Sequence, residues 1–134
     1  MNSVGRTLAL AVLLTPPFTL AATRASAALP LLLTVNSPGD AIDANPGDFT
    51  CETQTGNKTC TLRAAVMEAN RNSGSTIILP AGTWNLTIPP SGLDDETTGD
   101  LNLDADVTIS GAGASVTIIE AVTLGDRVFR IAAG

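Results

Sequence analysis

The chain contains no histidine and no tyrosine, and aromatic residues make up only 3% of it. Without histidine it cannot form a Ser-His-Asp triad, a Cys-His pair or a histidine-ligated metal site. Lysine is nearly absent as well, since Lys58 is the only one, and 7 basic residues stand against 13 acidic residues. Because phosphate recognition needs clustered Lys and Arg, we expect no nucleic-acid partner.

What the chain does contain is typical of a folded domain. Hydrophobic residues make up 44% of its 134 residues and charged residues 15%, with a formal net charge of -6. Disordered chains are less apolar and more strongly charged. The length allows one domain of ordinary size, and the scarcity of aromatics predicts a core of Val, Ile, Leu and Ala.

Residues 1–27 have the layout of a secretory signal peptide. Arg6 gives a positive start, 8–14 is an unbroken apolar run, and Ala-Ser-Ala at 25–27 predicts cleavage before Ala28. The alternative is a membrane anchor, but the apolar run falls short of the roughly 20 residues that span a bilayer. We therefore expect a protein that is secreted or held at the cell surface, with no membrane span after cleavage.

Cys51 and Cys60 both lie in the predicted mature part. Export makes a disulfide the expected state, and a bridge across so short a loop contributes about 2–3 kcal/mol on the chain-entropy model. A redox dithiol has a shorter spacing, and two thiols alone cannot complete a tetrahedral metal site.

One amphipathic helix is predicted directly after the cysteine loop. Apolar residues recur at i, i+3, i+4 and i+7, which places them on one face; they are Leu62, Ala65, Val66 and Ala69. Thr61 is the expected N-cap, and Asn-Ser-Gly at 72–74 is the expected stop. With the loop before it, this helix defines a predicted cap over residues 28–75.

The rest of the chain reads as short strands separated by Gly-rich corners. We expect strands at 31–35, 76–79, 83–88, 101–103, 107–110, 116–119, 122–124 and 128–131. The late strands recur after about 20 residues, from 101 to 122 and from 107 to 128, which favours the coils of a parallel β-solenoid over a β-sandwich. Residues 76–134 would form the first two to three coils, incomplete without further coils of a longer chain or a partner.

Several blocks of the sequence resemble the CSLREA domain. They are Cys-Thr-Leu-Arg-Ala-Ala-Val at 60–66, Glu-Ala-Asn at 68–70 and Thr-Ile-Ile-Leu-Pro-Ala-Gly-Thr-Trp at 76–84. The resemblance implies the N-terminal cap of an exported bacterial protein with an all-β fold, a right-handed parallel β-helix carrying one short capping helix. The signature positions are Cys60, Thr61, Leu62, Arg63, Ala65 and Asn70.

The chain departs from that signature at two positions. Thr61 stands where the family has Ser, which keeps a hydroxyl for capping. Ala64 stands where the family has Glu, so Arg63 needs another acceptor, such as a turn carbonyl. The resemblance brings no catalytic residue with it.

The densest acidic stretch contains the weak calcium candidates Asp94, Asp95 and Asp100. Clustered carboxylates suit calcium, but their spacing does not match a calcium loop of about twelve residues. A solvated loop with turn caps is the simpler interpretation, and we expect no cofactor.

The sequence favours an exported structural or surface-binding module without catalysis, as in an adhesin-like protein. Its expected partners are glycans, surface proteins or downstream coils. The alternative is the N-terminal part of a polysaccharide-degrading enzyme of the pectate-lyase type, whose lyase or hydrolase residues would have to converge on one face. Lys58 lies in the cysteine loop and Asp94 and Asp95 lie in an insertion, so no such convergence is predicted.

Overall fold

The computed structural model describes residues 29–92 and 95–131 of the chain. The predicted signal peptide, residues 1–27, lies outside the described residues. Within them the elements follow the order β1 (Leu32–Thr34), α1 (Leu62–Arg71), β2 (Ser75–Leu79), β3 (Gly82–Asn85), β4 (Leu101–Leu103), β5 (Val107–Gly111), β6 (Thr117–Glu120) and β7 (Phe129–Ile131).

The strands form three small sheets in which all pairings are parallel. The first sheet has the order β1-β2-β5, the second pairs β3 with β6, and the third pairs β4 with β7. Leu33, Ile77 and Ile109 stand side by side across the first sheet, and Leu101 stands beside Phe129 in the third. The sequence analysis predicted parallel pairing from the recurrence of the strands after about 20 residues, and all the pairings are parallel.

The predicted all-β, right-handed parallel β-helix is wrong. The described residues form neither a solenoid nor a closed barrel; they form small parallel sheets of two or three strands with a helix among them, a small mixed α/β domain. The physical reason is where the core lies. It is built around α1, while side chains of β5, β6 and β7 are half-buried or exposed rather than enclosed by a further layer.

The interval of about 20 residues also misled the strand assignment. From that interval, residue 101 was expected to stand beside residue 122, but Leu101 stands beside Phe129. Residues 122–124 form a turn, not a strand, closed by Leu124 N–H donating to the carbonyl of Ala121 at 3.0 Å. The connections between paired strands differ in length, so the chain has no constant repeat.

The predicted helix is confirmed. It begins after Thr61, whose Oγ1 accepts a hydrogen bond from the N–H of Ala64 at 3.1 Å, and it packs against β2 and β4. Its apolar face joins a core with strand and loop residues: Leu33, Val35, Leu62, Ala65, Val66, Ala69, Ile77, Leu79, Trp84, Leu86, Leu101 and Leu124. Burying one such aliphatic side chain contributes about 1.5–3 kcal/mol, so this cluster is the main source of stability.

The helix is buried on more than its apolar face. Eight consecutive residues from Leu62 to Ala69 are buried, and Arg63 and Glu68 are among them. Buried charges are costly unless paired and hydrogen-bonded. Their partners therefore determine how the loops are arranged around the helix.

Candidate functional site

The segment that resembles the CSLREA signature joins the disulfide loop to the first turns of α1. Cys60 is bonded to Cys51, which confirms the predicted disulfide. Thr61 caps the helix, and its hydroxyl donates to the carbonyl of Ala41 at 2.6 Å. Leu62 and Ala65 lie in the core. These contacts are all with other parts of the same chain.

Arg63 is the centre of the buried polar network. Its side chain is 0% exposed, and its Nε and Nη2 donate to the two carboxylate oxygens of Asp40 at 2.6 and 3.0 Å. Nη1 donates to the carbonyl of Glu96 and Nη2 to that of Gly99, both at 2.9 Å. Without the signature Glu at position 64, Arg63 has one carboxylate and two turn carbonyls as acceptors.

Asp40 carries the connection further. Its Oδ2 also accepts from the backbone N–H groups of Thr87 and Ile88 at 2.6 and 2.8 Å. The pair thus joins the loop after β1, the helix, the segment after β3 and the turn before β4. Neither side chain reaches solvent, so the pair holds these segments together and offers no group to a soluble ligand. We call Arg63, Asp40 and these backbone partners the arginine hub.

Glu68 holds a second loop against the helix. Its carboxylate accepts from the N–H of Gly47 at 2.6 Å, the N–H of Phe49 at 3.2 Å and Nδ2 of Asn72 at 3.3 Å. Phe49 adopts a left-handed φ of 69°, which is unfavourable for a side chain of this type. Burial raises the pKa of Glu68, and the bond from Gly47 opposes that rise.

Asp43 connects the same loop to the disulfide loop. Its carboxylate accepts from the N–H of Asn45 at 2.8 Å and the N–H of Glu52 at 3.0 Å. Burial raises the pKa of Asp43, and the two hydrogen bonds counter that effect. Glu52 in turn accepts a hydrogen bond from the N–H of Gly56 at 2.8 Å. The carboxylates of Asp43 and Glu52 therefore fix the backbone of the disulfide loop by accepting from its N–H groups.

Asn70, the last signature position, ties the helix to the third sheet. Its Nδ2 donates to the carbonyl of Asn102 at 2.9 Å, and its Oδ1 accepts from the N–H of Asp104 at 3.1 Å. The side-chain amide of Asn70 therefore bonds to backbone groups in β4 and just after it, which holds the helix against this sheet.

The calcium candidates are not brought together as a group. Asp94 lies outside the described residues. Asp95 accepts from the N–H and hydroxyl of Thr97, which lowers the pKa of its carboxyl. Asp100 pairs with Arg127. Between residues 29 and 92 and between 95 and 131, no cluster of three or more potential side-chain ligands is placed to hold a metal ion.

An open apolar cleft lies beside the last strands of the three sheets. It has a volume of about 510 Å³. Its walls include Leu79, Ile109, Thr117, Ile119, Val128 and Phe129. Most of these side chains are half-buried against the core but stay accessible from one side. We call this feature the apolar cleft.

The strands around the apolar cleft have unpaired edges. β5 is bonded only to β2, β6 only to β3 and β7 only to β4 among the described strands. Such edges present backbone N–H and C=O groups that can bond to another extended chain. Exposed carboxylates lie beside these strands; they belong to Asp104, Asp106, Glu120 and Asp126.

Comparison of the chain with known protein families, with curated proteins and with solved structures found no match. In the described part of the chain, the helical segment is too short to cross a bilayer. The resemblance to the CSLREA domain therefore stays a prediction from the sequence.

Sequence reasoning missed the partners of the arginine hub. The sequence gives no indication that Asp40 is buried. A buried acid has no distinctive local pattern. The one available signal was the Ala at position 64, because without a Glu there Arg63 needs an acceptor elsewhere in the chain.

Proposed function

We propose that the chain is an exported structural module of the CSLREA type that takes part in binding at the cell surface and does not itself catalyse a reaction. The arginine hub carries this proposal. The signature residue Arg63 is completely buried and bonds to Asp40, Glu96 and Gly99. A motif whose charged residue is used in this way serves to hold a fold together.

The disulfide supports the export part of the proposal. Structural disulfides persist in oxidising compartments and are rare in the cytosol. Cys51 and Cys60 are bonded directly before the capped helix, so oxidation would stabilise the position of α1. Residues 1–27, which have the layout of a secretory signal peptide, would direct the chain to such a compartment.

The experiment expresses the full chain in a bacterial host and follows its fate. We expect it outside the cytoplasm, beginning at Ala28 by mass spectrometry, with Cys51 and Cys60 oxidised. Ala27→Leu, which replaces the small residue at the cleavage site, should leave the precursor uncut. Cytoplasmic retention with both thiols reduced would contradict export. Release of new sugar ends from a panel of polysaccharides would contradict the non-catalytic role.

A further inference from the structure

We propose that the apolar cleft binds an extended aliphatic segment with basic flanks from another protein, which adds as a strand at the free edge of β6. This inference rests on the proposed binding role and names the partner that the cleft fits. Adding a strand to an open edge gives affinity through main-chain hydrogen bonds, while pockets for alternate side chains give specificity.

The edge of β6 can receive such a strand. β6 is a regular stretch, Thr117–Glu120, bonded to β3 on one side. On its other side no strand among the described residues is paired with it. An unpaired edge of this kind recruits a further extended chain.

The cleft supplies the side-chain contacts. Ile109 on β5 and Ile119 on β6 line it, and both are half-buried. Their neighbours Ser110 and Ile118 are exposed, as expected for strands whose alternate residues face opposite sides. An added strand with Val or Ile at alternate positions would direct those side chains into the cleft and cover its apolar walls.

The acidic residues beside the cleft favour a partner whose strand is flanked by basic residues. Asp106 precedes β5, Glu120 ends β6 and Asp126 precedes β7. Asp106 and Glu120 are both exposed. Lysine or arginine at the ends of the incoming strand would pair with them. A second copy of this acidic chain would meet like charge.

The test uses a synthetic peptide of alternating Val and Thr flanked by lysines, with binding to the full chain followed by calorimetry. A matched peptide with glutamate flanks should bind at least about tenfold more weakly at low salt, and the difference should shrink as salt rises. A peptide with Pro in its centre should also lose affinity, because Pro cannot donate to the added strand.

Two substitutions on one strand test the place of binding. Ile119→Lys puts a charge in the cleft and should weaken binding of the lysine-flanked peptide about tenfold. Ile118→Lys makes the same change on the opposite face of β6, where the side chain is 46% exposed, and should leave binding unchanged. Circular dichroism of both variants checks that they fold.

A charge variant gives a second test that does not enter the core. Glu120→Lys should remove most of the preference for lysine flanks over glutamate flanks. Asp48→Lys, an equal change at an exposed loop position away from the cleft, should preserve it. Equal effects of the two variants would refute the assignment of the acidic flank.

The remaining outcomes separate this inference from the proposed function. If the exported, oxidised protein binds none of the peptides, the inference is wrong and the proposed function still stands. If the protein self-associates and Ile119→Lys alone abolishes that association, the occupant is a second copy and the inference is likewise wrong. Failure of export would overturn the proposed function without affecting peptide binding by the folded chain.

Discussion

Arg63 and Asp40 form an ion pair in which Nε lies 2.6 Å from Oδ1 and Nη2 lies 3.0 Å from Oδ2, with both side chains buried. Removing two charges from water costs more than their attraction alone returns, unless further hydrogen bonds satisfy both groups. Four backbone groups do so here, two carbonyls on the arginine and two N–H groups on the aspartate. The pair therefore specifies which loops lie against the helix.

We expect Asp40→Asn to destabilise the domain strongly. The amide keeps the size of the side chain but leaves the guanidinium of Arg63 buried without its counter-charge, which costs about 3–5 kcal/mol of unfolding free energy. Urea denaturation followed by circular dichroism measures the loss. Asp48→Asn removes an exposed carboxylate and should change the unfolding free energy by no more than about 0.5 kcal/mol. Similar losses in both variants would contradict a structural role for the pair.

The helix shows how much of the structure the local sequence pattern can predict. The spacing of Leu62, Ala65 and Ala69 predicted both its existence and its apolar face, and Thr61 predicted its start. The burial of Arg63 could not be predicted in the same way. Its acceptors lie between 23 and 36 residues away along the chain, so no local rule connects them.

The strands show where pattern reasoning failed. Most short apolar runs proved to be strands, but the fold depends on which strands pair, and the late interval suggested 101 with 122. The structure pairs Leu101 with Phe129, and the helix packs against strands of the first and third sheets. Recurring strands identify paired neighbours only when the connections between them have constant length. Here the connection between β3 and β4 contains the segment from Pro89 to Gly99.

Thr61 offers a prediction with a matched control. Thr61→Ala removes the acceptor for Ala64 N–H and the donor to the carbonyl of Ala41. Loss of an N-cap hydroxyl costs about 0.5–2 kcal/mol of stability. Thr61→Ser retains the hydroxyl and should recover most of that loss in the same thermal unfolding measurement. If Ser and Ala destabilise equally, the packed methyl group rather than the cap is responsible.

The disulfide between Cys51 and Cys60 gives a prediction about stability. Cys51→Ser with Cys60→Ser should lower the unfolding free energy by about 2–3 kcal/mol, because the loop between them regains freedom in the unfolded chain. Reduction of the unsubstituted protein should produce the same loss, measured by urea denaturation. The double variant itself should not respond to reductant. A loss on reduction that exceeds the loss in the double variant would indicate an effect of the free thiols.

Glu68 and Asp43 predict an unusual pH dependence. Burial raises the pKa of both carboxyls in the folded state. These two carboxyls therefore bind protons more readily in the folded chain than in the unfolded chain, and the stability that they contribute through this linkage falls as pH rises. It is fully present below the unfolded values, 4.5 for Glu and 3.8 for Asp, and is lost as pH rises through the raised values.

Two substitutions isolate the contribution of Glu68 to that dependence. Glu68→Gln should flatten the fall in unfolding free energy above pH 4.5, because the neutral amide has no proton to lose, although it also weakens the bonds from Gly47 and Phe49. Asp95→Asn is the control. Hydrogen bonds from Thr97 lower the pKa of Asp95, so its stabilising effect is present above 3.8 and is lost only as pH falls further. Thermal unfolding across the acidic to neutral range should show the flatter slope in the Gln variant alone; an unchanged slope would mean that Glu68 does not titrate in this range.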